Sequence, residues 1–276
     1  MDWQLIVPHE QNWEGADLEN AREVRLRAGQ PVMVSGPGGI WRGSHILSPA
    51  ELPQAAQALT QYSLAAHQAE WAQGFLPLPG GHRLGVCGVN GPQGMLEITS
   101  LCVRIAHEIK GAGDAVFPLI QRKNTLIIGP PGAGKTTLHR DLIRQYSLNS
   151  VPVGVADERN EIAACRDGAA QLDVGPMTDV ISGMEKARAV MLLIRAMAPQ
   201  VIAMDEIGGE KDAAALSEAL RCGVTVLAAA HGRNPEDVRK RQGMEALFAH
   251  GAVEAWVQLQ GVGTPPRVHF CQEEKA

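Results

Sequence analysis

Residues 129–136 read Gly129-Pro130-Pro131-Gly132-Ala133-Gly134-Lys135-Thr136. Glycines let a backbone bring several N–H donors close to one anion, because no Cβ stands in the way. An apolar run at 125–128 precedes this segment and a helical pattern follows it from Thr137. That strand–loop–helix context makes it a phosphate-binding loop, with the partial positive charge of a helix N-terminus behind it. Lys135 would reach β- and γ-phosphates, Thr136 would put its hydroxyl on Mg²⁺, and Thr137 closes the set of nucleotide-binding positions. Further along, Val201-Ile202-Ala203-Met204-Asp205-Glu206 ends an apolar strand in two acids. Asp205 suits Mg²⁺ held through water, and Glu206 suits a general base that polarises an attacking water. A second acid-ended strand, Val153-Gly154-Val155-Ala156-Asp157-Glu158, makes Glu158 a competing base if it lies beside the loop strand. His231 follows a third apolar run at 224–230, where it is read as a sensor of the γ-phosphate.

These groups need a scaffold that gathers strand ends at one edge. Apolar runs at 125–128, 151–156, 201–204 and 224–229 alternate with helical stretches at 135–146, 187–197 and 213–220. Unbroken apolar strands between helices indicate a parallel sheet covered on both faces, hence a doubly wound α/β domain. Ligands bind such sheets at the carboxyl ends of the strands. Segments 253–259 and 267–271 suggest a closing hairpin. The first part of the chain reads as a smaller α+β unit. It has strands around 24–27, 32–34, 83–89, 95–99 and 101–105, a helix starting at the Ser48–Glu51 capping box, and another over 65–73 that stops at Gly74. Gly111-Ala112-Gly113-Asp114 is the expected linker, dividing residues 1–116 from 117–276.

Composition excludes several classes. The 276 residues are 45% hydrophobic and 20% charged, enough apolar content for a buried core. A net charge of −5 and only 4% aromatic residues argue against a nucleic-acid groove, so no nucleic-acid partner is expected. The Arg239-Lys240-Arg241 run is too short to reverse that and is read as a solvated helix face. Five cysteines, Cys87, Cys102, Cys165, Cys222 and Cys271, are odd in number and scattered, as in a reducing compartment. Residues 1–20 hold five acids and no basic cluster, unlike a signal peptide, and no run is long and apolar enough to span a bilayer. The chain therefore reads as soluble and cytoplasmic.

The order of parts is similar to that of the RecA-like secretion and pilus ATPases, with segment 193–202 resembling their approach to the Walker B strand. The chain resembles the stage III sporulation protein AA family more closely still. The residues that carry this are Glu23 to Arg27, Gln73-Gly74-Phe75, Pro79 to Gly85, and Val103 to Ala106. In the second half they are Asp157 to Ile162, Asp205-Glu206-Ile207-Gly208, and Ala230-His231-Gly232. The resemblance implies an oligomeric, hexameric ATP-hydrolysing motor docked on the cytoplasmic face of a membrane channel complex between mother cell and forespore. It also implies that the N-terminal domain supplies an arginine in trans, for which Arg25, Arg27 and Arg104 are candidates. Two departures stand out. Secretion ATPases carry Gly-Glu where this chain has Asp205-Glu206, and a basic residue where it has Gly208-Gly209. Two other readings of the motifs stay open: a nucleic-acid-stimulated ATPase of the recombinase or helicase type, and a nucleotide switch that does not hydrolyse.

Overall fold

In the computed structural model, which describes residues 1–10, 13–61, 74–91, 94–241, 243–245, 251–261 and 263–271, the Glu23–Arg27 alternation forms β1. Val24 and Leu26 are fully buried while the charged residues share the other face. Contacts divide the chain into Met1–His107 and Glu108–Ala276. In the first unit, β2 (Pro31–Gly36), β3 (Gly39–Ile46), β4 (Phe75–Pro77), β5 (Arg83–Gly91) and β6 (Gly94–Arg104) join β1 in an antiparallel sheet ordered β3-β2-β1-β6-β5-β4. Strand β6 is one piece where the sequence suggests two, because Ser100 keeps its place in the ladder opposite Arg27. Helix α1 (Trp3–Ile6) and helix α2 (Glu51–Leu59) belong to this unit, and α2 buries Leu52, Ala55, Ala56 and Leu59 in its core. The expected capping contact is present, with the Ser48 N–H donating to Glu51 Oε2 at 2.7 Å. Pro53 falls in the first helical turn, where no N–H partner is needed. The helix expected over 65–73 lies outside the described residues.

The second unit holds α3 (Phe117–Ile120), β7 (Thr125–Gly129), α4 (Lys135–Leu148), β8 (Val153–Asp157), β9 (Thr178–Ser182), α5 (Lys186–Met197), β10 (Val201–Ile207), α6 (Glu210–Arg221), β11 (Thr225–His231), α7 (Pro235–Arg239), β12 (Ala255–Gln258) and β13 (Arg267–Phe270). Its sheet runs β13-β12-β7-β11-β10-β8-β9, parallel throughout except for β13 against β12. The expected hairpin is thus also an extension of the main sheet, since β12 pairs with β7. One sheet face packs Ile127, Val155, Ala203 and Leu227 against Leu138 and Leu142 of α4. The other packs Leu126, Ile128, Ile202 and Met204 against Leu193 of α5 and Leu216 of α6.

Two features of the fold bear on the expected linker and on Glu158. Gly111–Asp114 is not a free linker: the N–H groups of Gly111 and Gly113 donate to Asp141 on α4 at 3.2 and 2.7 Å. The contact boundary accordingly falls between His107 and Glu108 rather than near residue 116. In addition, β8 is separated from β7 by both β10 and β11, so the condition that would have made Glu158 a rival base is not met.

Candidate active site

The carboxyl ends of β7, β11, β10 and β8 gather the residues that the sequence singles out. After β7 the chain turns through Gly129–Gly134 into α4. Gly132 and Gly134 have φ of +74° and +91°, a region that any side chain would strain. Gly134 is the N-cap of α4 and supplies no capping side chain, so the first-turn N–H groups remain directed at the loop. Gly129 is small for a different reason: a Cβ there would sit 2.9 Å from the Leu259 carbonyl oxygen.

Lys135 is buried in this loop. Its ammonium donates to the carbonyl oxygens of Gly129 and Pro130 at 2.9 and 3.0 Å, and it lies 3.0 Å from His231 Nδ1. Burial lowers its pKa, and its partners are neutral acceptors that a phosphate would outcompete. Burial, reinforced by the Lys135 charge, also lowers the pKa of His231. The imidazole is therefore neutral near pH 7, with Nδ1 accepting from Lys135 and the Nε2 proton facing a Glu206 carboxylate oxygen. The second oxygen of Glu206 receives Arg159 at 3.1 Å. Lys135, His231, Glu206 and Arg159 thus form one continuous chain across the sheet edge.

Asp205 and Glu206, though adjacent, serve different surroundings. The β10–β11 register shifts between Met204 and Glu206, a β-bulge at Asp205. Asp205 turns inward, 3.1 Å from the ammonium of Lys186 through Oδ1, and accepts the Arg159 N–H at 3.0 Å through Oδ2. Lys186, the first residue of α5, is only 6% exposed at its side chain. It also reaches Glu158 at 2.7 Å and Asp212 at 3.6 Å. Burial opposes its charge, yet these carboxylates outweigh burial and raise its pKa. Removing one partner of such a buried pair typically costs about 3–5 kcal/mol. Glu158 is therefore held on the Lys186 side of the edge. Asp157 is wholly buried and accepts the N–H groups of Glu161, Ile162 and Ala163 at 2.8–3.0 Å, fixing the loop after β8.

Sequence reasoning named Lys135, Thr136, Asp205, Glu206 and His231 and missed the roles of Lys186 and Arg159. The available signal for Arg159 was its place beside Glu158 at a strand end. Arg25, Arg27 and Arg104 lie on the outward face of the other unit's sheet. Arg25 meets Glu23 at 2.8 Å, Arg104 stands 3.8 Å from the same acid, and Arg27 donates to Met33 Sδ at 3.4 Å.

The residues fit a nucleotide with its magnesium ion. The uncapped helix start and the positive-φ glycines make an anion cradle, and Thr136 offers a hard oxygen at its rim. Among the described residues no three His, Cys, Asp or Glu side chains converge on a metal position. The remaining ligands of the ion would therefore be phosphate and water. Asp205 Oδ2 is taken by the Arg159 N–H, while Oδ1, buried and without a hydrogen bond, stands 3.1 Å from the Lys186 ammonium and suits an ion held through water. No helix among the described residues is long and apolar enough to cross a membrane.

The family model described as sporulation stage III, protein AA, matches residues 10–276. Stage III sporulation protein AA of Bacillus subtilis (strain 168) is 37% identical over 280 residues, covering 94% of this chain and 88% of that protein. Among solved structures, the ATPase DotB of Legionella pneumophila superposes with a TM-score of 0.62 at 17% identity, over 92% of this chain and 78% of that one. The pilus retraction motor PilT with bound ADP gives 0.61 at 17% identity, over 91% and 78%. At that identity these two establish a shared fold, a RecA-like P-loop core preceded by a smaller α+β domain.

Proposed function

We propose that this chain, which belongs to the sporulation stage III protein AA family, is a Mg²⁺-dependent ATPase. It works as a hexameric ring that drives a secretion-like channel from the cytoplasmic, mother-cell side of the membrane during sporulation. The observation that supports hydrolysis is the convergence of Lys135, His231 and Glu206 at the carboxyl edge, behind a phosphate-binding loop. The fold shared with the ATPase DotB and the pilus retraction motor PilT supports the motor reading.

In this reading Lys135 exchanges the carbonyls of Gly129 and Pro130 for β- and γ-phosphate oxygens. Mg²⁺, bound with ATP, supplies neutralisation of charge on the phosphates. Thr136 and, through water, Asp205 would be the residues that hold the ion. Glu206 takes the proton of the attacking water. His231, freed from Lys135 as that lysine moves, turns its Nε2–H from Glu206 toward the γ-phosphate and so reports its presence. Glu158, paired with Lys186, takes no catalytic part.

Phosphate release by the full chain with Mg-ATP, with and without single-stranded DNA, tests the reaction. Steady turnover indifferent to DNA is expected. In Arg239-Lys240-Arg241, Arg241 is turned inward, donating to the His231 carbonyl oxygen, and Arg239 lies 3.7 Å from Glu236. Tight nucleotide binding without phosphate release would make the chain a switch. A severalfold stimulation by DNA that weakens as salt rises would make it a nucleic-acid motor. Light scattering with and without non-hydrolysable ATP tests the ring, through a nucleotide-dependent rise in mass.

A further inference from the structure

Lys186 brings together three segments that are distant in sequence. Its ammonium lies 2.7 Å from Glu158 after β8, 3.1 Å from Asp205 in β10 and 3.6 Å from Asp212 in α6. These separations suit an ammonium; a divalent cation draws oxygens to roughly 2.0–2.6 Å. The contact with Asp205 has a continuation. Asp205 Oδ1 faces Lys186, Oδ2 receives the backbone N–H of Arg159, and the Arg159 guanidinium holds Glu206. A path of direct contacts therefore runs from Lys186 to the proposed general base without touching the phosphate-binding loop.

We propose that Lys186 is a positioning residue: a built-in cation that aims Asp205, and through Arg159 aims Glu206, while keeping divalent ions out of the carboxylate cluster. Its action on Glu206 rests on the ATPase reading above, whereas its exclusion of ions does not. Three carboxylates that each approach one ammonium within 3.6 Å share its positive charge, and without it they would repel one another. Where that charge is covalently part of α5, the second acid at the end of β10 can be tolerated beside Glu206 without a resident metal.

The test uses the full chain as wild type, Lys186→Met, Lys186→Arg and Lys186→Met/Asp212→Asn, each checked for a cooperative melt. In nucleotide-free protein, Mn²⁺ binding is followed by electron paramagnetic resonance. Lys186→Met should acquire a bound Mn²⁺ that wild type and Lys186→Arg lack, and the added Asp212→Asn should weaken it. In turnover, Lys186→Met should lose at least about tenfold in kcat with KM moved by less than about threefold, since the phosphate contacts are untouched. Lys186→Arg should recover most of that loss. A folded Lys186→Met with wild-type kcat, or one whose loss lies in KM, overturns the positioning role. Absence of Mn²⁺ from a folded Lys186→Met overturns the ion-excluding role. Should Lys186→Met fail to fold, Lys186→Arg decides: bound Mn²⁺ or a tenfold loss there overturns the proposal. If wild type itself releases no phosphate, the ATPase reading fails and the Mn²⁺ comparison alone decides the part that does not depend on it.

Discussion

His231 stands directly across the β7–β11 ladder from Gly129, the residue whose carbonyl oxygen accepts the Lys135 ammonium at 2.9 Å. The register of one strand pair therefore fixes where the imidazole meets the lysine, and a nucleotide that draws Lys135 away must release His231 as well.

Lys135→Ala should lose ATP affinity while the fold persists, because its partners are two carbonyls and an imidazole on the loop's own edge. Hydrogen bonds to charged groups are worth about 1.5–3 kcal/mol, or roughly tenfold to a hundredfold in affinity. Isothermal titration with Mg-ATP checks this. Unchanged affinity would remove the loop from the site.

The two acids should separate cleanly. Glu206→Gln keeps the shape facing His231 and Arg159 but cannot take a proton, so ATP should bind and turnover should fall by about 10²–10⁴. Glu158→Gln weakens only a contact with Lys186, and its effect should show in the melting temperature more than in kcat. Normal turnover of Glu206→Gln together with a dead Glu158→Gln would reverse the assignment.

His139 sets an acid-side prediction. It lies buried on α4, its Nε2 directed at the Leu227 carbonyl oxygen at 3.1 Å, and burial pushes its pKa down to about 4. Between about 6.5 and 4 the unfolded chain binds a proton that the native imidazole refuses. Stability should therefore rise with pH across that window and level off above it, by up to about 3 kcal/mol from this group. Denaturant melts across this range should show a shallower slope for His139→Gln. An unaltered slope would mean that another group governs acid unfolding.

A neighbouring subunit is expected to complete the site with Arg25, Arg27 or Arg104. Arg104 has the most open side chain of the two arginines that approach Glu23, 68% exposed against 40% for Arg25. An arginine supplied in trans can be worth about 10³–10⁵ in rate. Arg104→Ala should cut turnover while the monomer's ATP affinity holds. Mixing it with Glu206→Gln should restore part of the activity through hybrid boundaries. Full activity in all three single variants, or no recovery on mixing, would refute the idea.

What the sequence made legible was whatever is local. The loop at 129–136 needs its glycines, and acids at the ends of apolar strands announce themselves within a few residues. Sheet order is non-local, so nothing in Val153–Asp157 reveals that two strands stand between it and β7. Lys186, one residue before the helical pattern at 187–197, drew no reading because its partners come from β8, β10 and α6. Gly111 and Gly113 read as part of a linker, yet the carboxylate that takes their N–H groups lies on α4, many residues away. Edge strand β9 escaped because Thr178–Ser182 is half-buried along its length and lacks the apolar run of its neighbours.

The bulge at Asp205 acts as a phase shifter for everything after it. Before it, Ile202 and Met204 point into one core layer; after it, the same layer is filled by Ile207 instead of residue 206. Strict alternation would have driven Glu206 into that apolar layer and left Ile207 among the phosphates. What the end of this strand must preserve is therefore a residue count as much as a set of side chains. Many substitutions here leave both the core and the site in frame, while the loss of a single residue would exchange the one for the other.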